Sequence, residues 1–336
     1  MKRILHFIAT YSRPLTLAAL ACLLLFPLFV TNAYVLRVAA TSLIYVILAL
    51  GLNVVTGYMG QTSFGTAAFW GIGAYTGAIL STRIGLGTGL LFLIAPLLSG
   101  VIAMLLGMCV LKLRGYYMAI VTLGFCEIVR LIELNWMSLT RGPLGIMNIP
   151  KLSFFGVKVT SSQGVFYVAL AMTVLVTYVV WKLMNSRIGL TITAIRDDEI
   201  AVQSMGVNVV KYKVGAFALY GMICGFAGAF YAHFMSYIDP TMFKTLNSTE
   251  VIIMVIFGGL GSIPGSYLGA IVLTVITELL RDLVEYRMLI YGFLLVILMI
   301  VKPKGILGSV NLKHIRQRMQ PSGPSEAGEE KEARHG

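Results

Sequence analysis

The chain has 336 residues, of which 58% are hydrophobic and only 12% are charged. Globular proteins carry about 25% charged residues, so this composition excludes a soluble domain and a disordered chain, as does the mean hydropathy of +0.86. The net charge of +12 does not indicate a nucleic-acid partner, because the basic residues lie in short loops between long apolar runs. We therefore predict an all-α, polytopic membrane protein.

Long apolar runs begin near the first residue and continue along the chain. A bilayer-spanning helix needs about 20 mostly apolar residues. Runs of this kind cover Leu15–Val30, Val38–Thr56, Phe64–Thr82, Leu90–Leu111, Tyr116–Asn135, Val165–Met184, Val214–Tyr237 and Leu289–Val301. The interrupted stretch Glu250–Leu280 adds two short segments, so we predict about ten transmembrane segments. The first run resembles a secretory signal, but no small-residue cleavage pattern follows it, and we interpret it as a retained helix.

The distribution of basic residues predicts the orientation of these segments. With both termini in the cytoplasm, the inside loops hold 17 Lys and Arg residues and the outside loops hold eight, which agrees with the positive-inside rule. We therefore predict a cytoplasmic N-terminus (1–14), a transmembrane domain (15–301) and a cytoplasmic tail (302–336) that is basic and then disordered. The outside loop Gly142–Gly164 has β-like character and predicts a short hairpin.

A glycine-rich interruption divides the stretch Glu250–Leu280. The residues that cannot continue a helix here are Gly258, Gly259, Gly261, Pro264 and Gly265. Irregular backbone at membrane depth is tolerated only where protein buries it or where it lines a cavity, and interrupted helices often mark transport pathways. Two interpretations stay open, a pathway element and a turn at the cytoplasmic surface.

Other glycines are spaced four residues apart, as in Gly73/Gly77 and Gly221/Gly225. This spacing places two glycines on one helix face and predicts close helix packing. The functional alternative is that such smooth contacts let helices rock during alternating access.

Three charged residues lie inside one apolar run, with Glu127, Arg130 and Glu133 at i, i+3 and i+6. A charge near mid-bilayer costs roughly 2.5–3.5 kcal/mol on insertion scales, and a spacing of three lets Arg130 pair with either carboxylate. The pattern predicts a structural ion pair, with a role in the pathway or in gating as the alternative.

The predicted cytoplasmic loop at about 185–213 contains a short helix signal. Asp197, Asp198 and Glu199 suit a helix N-terminus, and Gly206 suits the position after its end. We predict a helix from Asp198 to Met205 that presents apolar side chains at 200, 202 and 205. Such a helix is either a solvated turn or a knob that docks in a groove on another protein.

This loop carries a resemblance to a known family. The run AIRDDEIAVQSMGV resembles the cytoplasmic coupling loop of branched-chain amino acid ABC transporter permeases, in particular their LivM branch. Further similar stretches are GYMGQTSFGTAAFWGIGAYTGAIL (57–80), TLGFCEIVRLIELNW with LTRGPLGI (122–146), FGGLGSIPGSYLGA (257–270) and KPKGILG (302–308). The resemblance covers about residues 35–308, and the conjunction of these motifs is specific although each alone is weak.

The resemblance implies a subunit of an importer in a bacterial inner membrane. Its pathway would be formed with a homologous permease subunit, two cytoplasmic ABC ATPases would drive it, and a periplasmic binding protein would deliver Leu, Ile or Val, or a related solute such as an amide or urea. Coupling to the ATPases would fall on Arg196, Asp197, Asp198, Glu199, Ile200, Ala201, Met205 and Gly206. This sequence departs from the family pattern at Thr66, where His is frequent, and at Arg141, where Gly is usual, which leaves the substrate preference open.

The sequence also argues against other classes of protein. The sequence has no Gly-Lys pair, so it lacks the phosphate-binding loop of an ATPase; ATP is expected in the partner subunits, with no cofactor or metal bound by this chain. A stand-alone secondary transporter or channel would need coupling carboxylates on several helices, whereas only Glu127 and Glu278 qualify. An intramembrane enzyme lacks a credible catalytic set, since the histidines are scattered.

Overall fold

The computed structural model describes residues 23–27, 29–30, 32–110, 116–154, 157–280, 289–290, 292–293, 296, 300–302 and 305–308. The predictions for the N-terminus (1–14) and for the tail beyond 308 lie outside the described residues. The first and last apolar runs (15–30 and 289–301) are described only in part, so the segments predicted there lie partly outside them.

The described chain consists mainly of α-helices. Their bounds are α1 Ala33–Asn53, α2 Thr66–Ile79, α3 Thr88–Val110, α4 Tyr116–Asn135, α5 Met137–Thr140, α6 Ser162–Met184, α7 Arg187–Asp197, α8 Glu199–Ser204, α9 Val209–Met235, α10 Thr245–Gly258 and α11 Ile263–Leu279. Two π-helical turns, Val54–Tyr58 and Leu80–Ile84, extend α1 and α2. Of the described helices, α1 with its π-turn, α3, α6 and α9 are long and apolar enough to cross a membrane. The protein is an all-α, multi-pass membrane protein.

The predicted apolar runs agree with these helices. The run Tyr116–Asn135 coincides with α4, and the runs at 38–56, 90–111 and 165–184 end within a few residues of α1, α3 and α6. The stretch at 250–280 forms two helices on either side of a break, as predicted. The hairpin is also confirmed, since Ser153–Phe154 pairs antiparallel with Val157–Lys158.

Two helices form the centre of the bundle. α9 packs along both α2 and α3, and α1 packs against α6, α9 and α11. In α1 and α9, most residues of the most apolar stretch are buried. In α3 and α6, most residues of that stretch are not buried. Because the exposed side chains of α3 and α6 are themselves large and apolar, these two helices form an outer face suited to lipid.

Glycines allow the close approach of α2 and α9. A Cβ atom on Gly73 would overlap the backbone of Gly225, and one on Gly228 would overlap the carbonyl oxygen of Trp70. Gly225 also faces Ser99 on α3, so α9 contacts two neighbours through a surface of small residues. The close helix packing predicted from the glycine spacing is confirmed.

Candidate coupling site

The predicted cytoplasmic loop folds as two short helices, α7 and α8. Asp198 caps α8, since its Oδ1 accepts hydrogen bonds from the backbone N–H groups of Ile200 and Ala201, each at 3.0 Å. This cap satisfies donors that the first helical turn leaves without partners. α8 ends at Ser204, and Gly206 has φ +80°, a conformation that glycine adopts far more readily than other residues. The predicted helix and its glycine terminator are confirmed.

The apolar residues of α8 point in two directions. Ile200 is 64% exposed and Met205 is 82% exposed. Val202 is buried in a small cluster with Ile195 and Val209. The expectation that α8 presents 202 together with 200 and 205 was therefore wrong for Val202, because α8 must also bury one apolar side chain to hold its place on α7 and α9.

The acidic residues before α8 have different partners. Glu199 forms an ion pair of 2.9 Å with Lys213 on α9, whose side chain is only 5% exposed. This pair fixes the start of α8 to the helix that follows the loop. Asp197 is mostly exposed and pairs with Arg196. Glu199 thus stabilises the loop from within, while Asp197 remains available at the surface.

Arg196 connects the loop to the π-turn at the end of α1. Its Nη1 donates to the carbonyl oxygen of Gly57 over 3.0 Å, while Nε and Nη2 donate to Oδ1 of Asp197 over 3.1 Å. The arginine stem covers Gly60, where a Cβ would lie 2.6 Å from its Cγ. A Cβ on Gly261 would lie 3.6 Å from its Nη1. Arg196 therefore lies between the α7–α8 loop, the π-turn after α1 and the glycine-rich break.

The break itself is a tight connection between two packed helices. α10 ends at Gly258, and α11 begins at Ile263 with Pro264 in its first turn. Ser262 caps α11 by accepting from the backbone N–H of Gly265 at 3.2 Å. The helices α10 and α11 pack against each other, so the chain reverses direction here. This geometry favours the interpretation as a turn over the interpretation as a pathway element. The turn lies beside the α7–α8 loop.

Asn53, which sequence reasoning missed, holds this turn in place. Its Nδ2 donates to the carbonyl oxygen of Ser262 at 3.1 Å and to Oγ of Ser266 at 2.9 Å, and its Oδ1 accepts from the N–H of Gly261 at 2.8 Å. The side chain is buried. The available signal was a single asparagine inside the apolar run LALGLNVV, since a buried amide requires hydrogen-bond partners.

The terminal motif closes the other side of the turn. The N–H groups of Ile306 and Leu307 donate to the carbonyl oxygens of Phe257 and Gly258 at 3.1 and 2.9 Å. These carbonyls end α10 and have no partner within the helix. The stretch 305–308, part of the KPKGILG motif, is thus a strap over the C-terminus of α10.

The predicted intramembrane ion pair forms on α4. Arg130 Nε lies 3.0 and 3.1 Å from the two carboxylate oxygens of Glu127, and its Nη2 contacts the same group. The Glu127 side chain is 42% exposed and that of Arg130 is 20% exposed. Glu133 is buried, and among the described residues Arg130 forms a salt bridge with Glu127 alone.

Comparison with known proteins identifies the family. A family described as "Branched-chain amino acid transport system / permease component" matches residues 34–300. The high-affinity branched-chain amino acid transport system permease protein LivM of Escherichia coli (strain K12) is 39% identical over 322 residues, which cover 89% of this chain and 76% of LivM. The chain belongs to this family.

Similarity to other permeases is weaker. The permease protein LivH of Escherichia coli (strain K12) is 23% identical over 297 residues, covering 81% of this permease and 93% of LivH. The fructose import permease protein FrcC of Rhizobium meliloti is 29% identical over 191 residues, covering 53% of this permease and 52% of FrcC. No solved structure gives a significant match.

Two positions at which this permease departs from the family pattern have distinct surroundings. Arg141 has φ +62°, a conformation in which glycine is the least strained residue, and this fits the Gly that the resemblance leads us to expect there. Thr66 is buried, and its Oγ1 shares a hydrogen bond of 2.6 Å with the hydroxyl of Tyr220 on α9. Thr66 thus links α2 to α9 in the centre of the bundle.

Proposed function

We propose that this chain is a transmembrane permease subunit of an ATP-driven ABC importer for leucine, isoleucine and valine in a bacterial inner membrane. The observation that carries the proposal is the α7–α8 loop. Its helix α8 is capped, carries two exposed apolar side chains and is fixed to the transmembrane bundle. The similarity to LivM over most of the chain supports the substrate class.

The ATPases are partner subunits in this proposal. The chain has no Gly-Lys pair, so a phosphate-binding loop must come from another protein, and ATP is bound there. Ile200 and Met205 insert into a groove of the ATPase surface, and Asp197 sets the orientation. Displacement of α8 reaches the bundle through Arg196 and through the Glu199–Lys213 ion pair, both of which connect the loop to membrane helices.

The topology proposed is about ten segments with both termini in the cytoplasm. The α7–α8 loop, the π-turn after α1 and the Gly259–Ser262 turn lie together at one end of the bundle, because Arg196 lies close to all three. This end faces the cytoplasm in the predicted orientation. The opposite end, which carries the hairpin at 153–158, faces the periplasmic binding protein.

The sister permease packs against the exposed face of α4. This face presents apolar side chains at 120, 128 and 131 together with the Glu127–Arg130 pair. An ion pair that faced lipid would be costly, whereas a homologous permease subunit or a shared aqueous pathway would accommodate it. The similarity to both LivM and LivH supports a homologous partner of this kind.

Reconstitution tests the proposed function. Proteoliposomes that contain this chain alone should take up no labelled leucine, and uptake should appear when ATP, both ATPases, the sister permease and the binding protein are supplied. Labelled valine, urea, acetamide and fructose serve as competing candidate solutes. Uptake by the chain alone under an ion gradient would instead make it a secondary transporter, and uptake of another solute in place of leucine would correct the substrate class.

A double variant tests the coupling role of α8. Asp198→Lys with Gly206→Val removes the helix cap and places a β-branched residue at φ +80°. We expect membrane insertion to persist, and co-purification with the ATPases or the stimulation of ATP hydrolysis by loaded binding protein to be lost. Gly215→Ala adds a methyl group on α9 where no atom lies within 4 Å and serves as the control. Normal co-purification and normal transport in the double variant would show that α8 is only a solvated turn.

A further inference from the structure

Three buried side chains near one end of α4 carry polar atoms that make no hydrogen bond within the described part of the chain. They are both carboxylate oxygens of Glu133, the indole Nε1 of Trp70 and the hydroxyl of Tyr75. Glu133 is only 4% exposed. Buried polar groups are nearly always hydrogen-bonded, so a cluster of such atoms needs an explanation, and an absent ligand is one.

The three side chains surround the ring of Phe243, which ends the 3₁₀ turn Pro240–Phe243. The ring centroids of Trp70 and Tyr75 lie 5.2 and 6.0 Å from that of Phe243. Gly71 leaves room for the carboxylate, because a Cβ there would lie 2.5 Å from Oε1 of Glu133 and 3.1 Å from Cγ of Phe243. The acid and the aromatic rings therefore share one place between α2, α4 and the 3₁₀ turn.

The other charged groups nearby are already engaged. Asp239 accepts from the backbone N–H and the hydroxyl of Thr241, and it lies within electrostatic range of the Tyr75 hydroxyl. Arg130 is held by Glu127. The Glu133 carboxyl group is thus buried with no cation bonded to it in the described chain, in a place where an uncompensated charge is very costly.

We propose that this cluster, defined by Glu133, Tyr75, Trp70 and Phe243, is the subsite that binds the charged backbone of an amino-acid cargo. It rests on the proposed function and adds the residues that recognise the cargo. The Glu133 carboxylate accepts hydrogen bonds from the cargo ammonium group. The Tyr75 hydroxyl and the Trp70 N–H are donors, which suit the cargo carboxylate. The aromatic rings contact the aliphatic side chain.

The complementarity is specific to a zwitterion. One anionic acceptor and two neutral donors match an ammonium and a carboxylate on adjacent groups, and aromatic faces also attract ammonium cations. A neutral sugar or urea has no cationic group that would stabilise the ionised carboxylate of Glu133. All four side chains of the cluster are buried, so cargo reaches them only when α4 moves away from α2.

The first experiment uses the complete transporter in proteoliposomes with saturating leucine-loaded binding protein. Glu133→Gln should lower the rate of leucine uptake by roughly 10- to 100-fold, the loss expected when a charge-assisted hydrogen bond in a buried site is removed. Glu133→Asp should retain an intermediate rate, and Gly71→Ala should also reduce uptake, because its methyl group crowds the carboxylate. Glu278→Gln, an acid on α11 that accepts a hydrogen bond from Tyr34, is the matched control and should transport normally.

A chemical readout separates binding from a purely structural role. A hydrophobic carbodiimide labels buried carboxyl groups, and peptide mass spectrometry quantifies the label on Glu133 in nanodiscs that contain the full transporter. Millimolar leucine and leucinamide, which both carry the ammonium group, should protect Glu133, whereas 4-methylpentanoate, which lacks it, should not. If the Glu133 variants lose assembly, this measurement on the unaltered protein still decides the question.

The outcomes distinguish the two proposals. If the unaltered transporter takes up no leucine, isoleucine or valine, the proposed function fails. If it takes up leucine while Glu133→Gln transports at the unaltered rate, or if 4-methylpentanoate protects Glu133 as well as leucine does, the subsite is wrong. Protection by sodium ions in place of amines would also overturn it, since Glu133 would then bind an inorganic cation.

Discussion

Replacement of Asn53 by leucine should loosen the turn between α10 and α11. Leucine has the same number and branching of side-chain heavy atoms, but it removes three hydrogen bonds, to the backbone of Gly261 and Ser262 and to the Ser266 hydroxyl. Each hydrogen bond contributes about 0.5–1.5 kcal/mol in proteins generally, and about 0.6 kcal/mol on average between membrane helices. The Ser262 carbonyl oxygen keeps its bond from the N–H of Ser266, but the N–H of Gly261 would be left without its partner, so we expect the free energy of unfolding to fall by about 2–4 kcal/mol.

Unfolding in mixed micelles of dodecylmaltoside and SDS, followed by circular dichroism, measures this loss. Ser266→Ala removes only one of the three bonds and should cost about 1 kcal/mol or less. Asn135→Leu is the control, because Asn135 is exposed and bonds only to the carbonyl oxygen of Leu131 in its own helix. A loss for Asn53→Leu that is no larger than the loss for Asn135→Leu would refute the reasoning that Asn53 holds the turn.

Two further predictions concern the bundle. Arg130→Met leaves the Glu127 carboxylate without its partner, so it should reduce the yield of assembled transporter more than the double change Arg130→Met with Glu127→Gln, measured by size-exclusion chromatography; equal yields would remove the pairing. Gly73→Val should abolish folding, because its side chain would overlap the backbone of Gly225, whereas Gly87→Ala meets no atom within 4 Å and should fold normally. A folded, thermally stable Gly73→Val protein would contradict the close packing of α2 on α9.

Hydropathy predicted the helices well because the energetic cost of unpaired backbone groups in lipid leaves few alternatives to a helix. The run at 116–135 matched α4 at both ends, and the short helix after Asp198 was found because its cap and its glycine terminator are local signals. The order of charges on α4 also predicted the Glu127–Arg130 pair, since residues three apart are neighbours on a helix.

Contacts between distant parts of the chain could not be read from these patterns. The bond from Arg196 to the carbonyl oxygen of Gly57 joins residues 139 positions apart, and nothing in the local sequence specifies that partner. Val202 was expected at the surface because periodicity does not say which face of a six-residue helix meets its own loop. Glu133 was grouped with Arg130 by spacing, and only the packing of α4 against α2 shows that its carboxyl group is buried beside Gly71.

The strap at 305–308 has a consequence for the order in which the protein is made. Chains emerge from the ribosome N-terminus first, and early parts fold before later ones are available. The carbonyl oxygens of Phe257 and Gly258 receive their partners, Ile306 and Leu307, only after some fifty further residues have been synthesised. The end of α10 beside the coupling loop therefore stays incomplete through most of biogenesis. A ribosome stalled before the strap would hold a chain in which the end of α10 beside the α7–α8 loop is still open. A partner that docks on this loop, as proposed above, would meet a finished surface only on the completed chain.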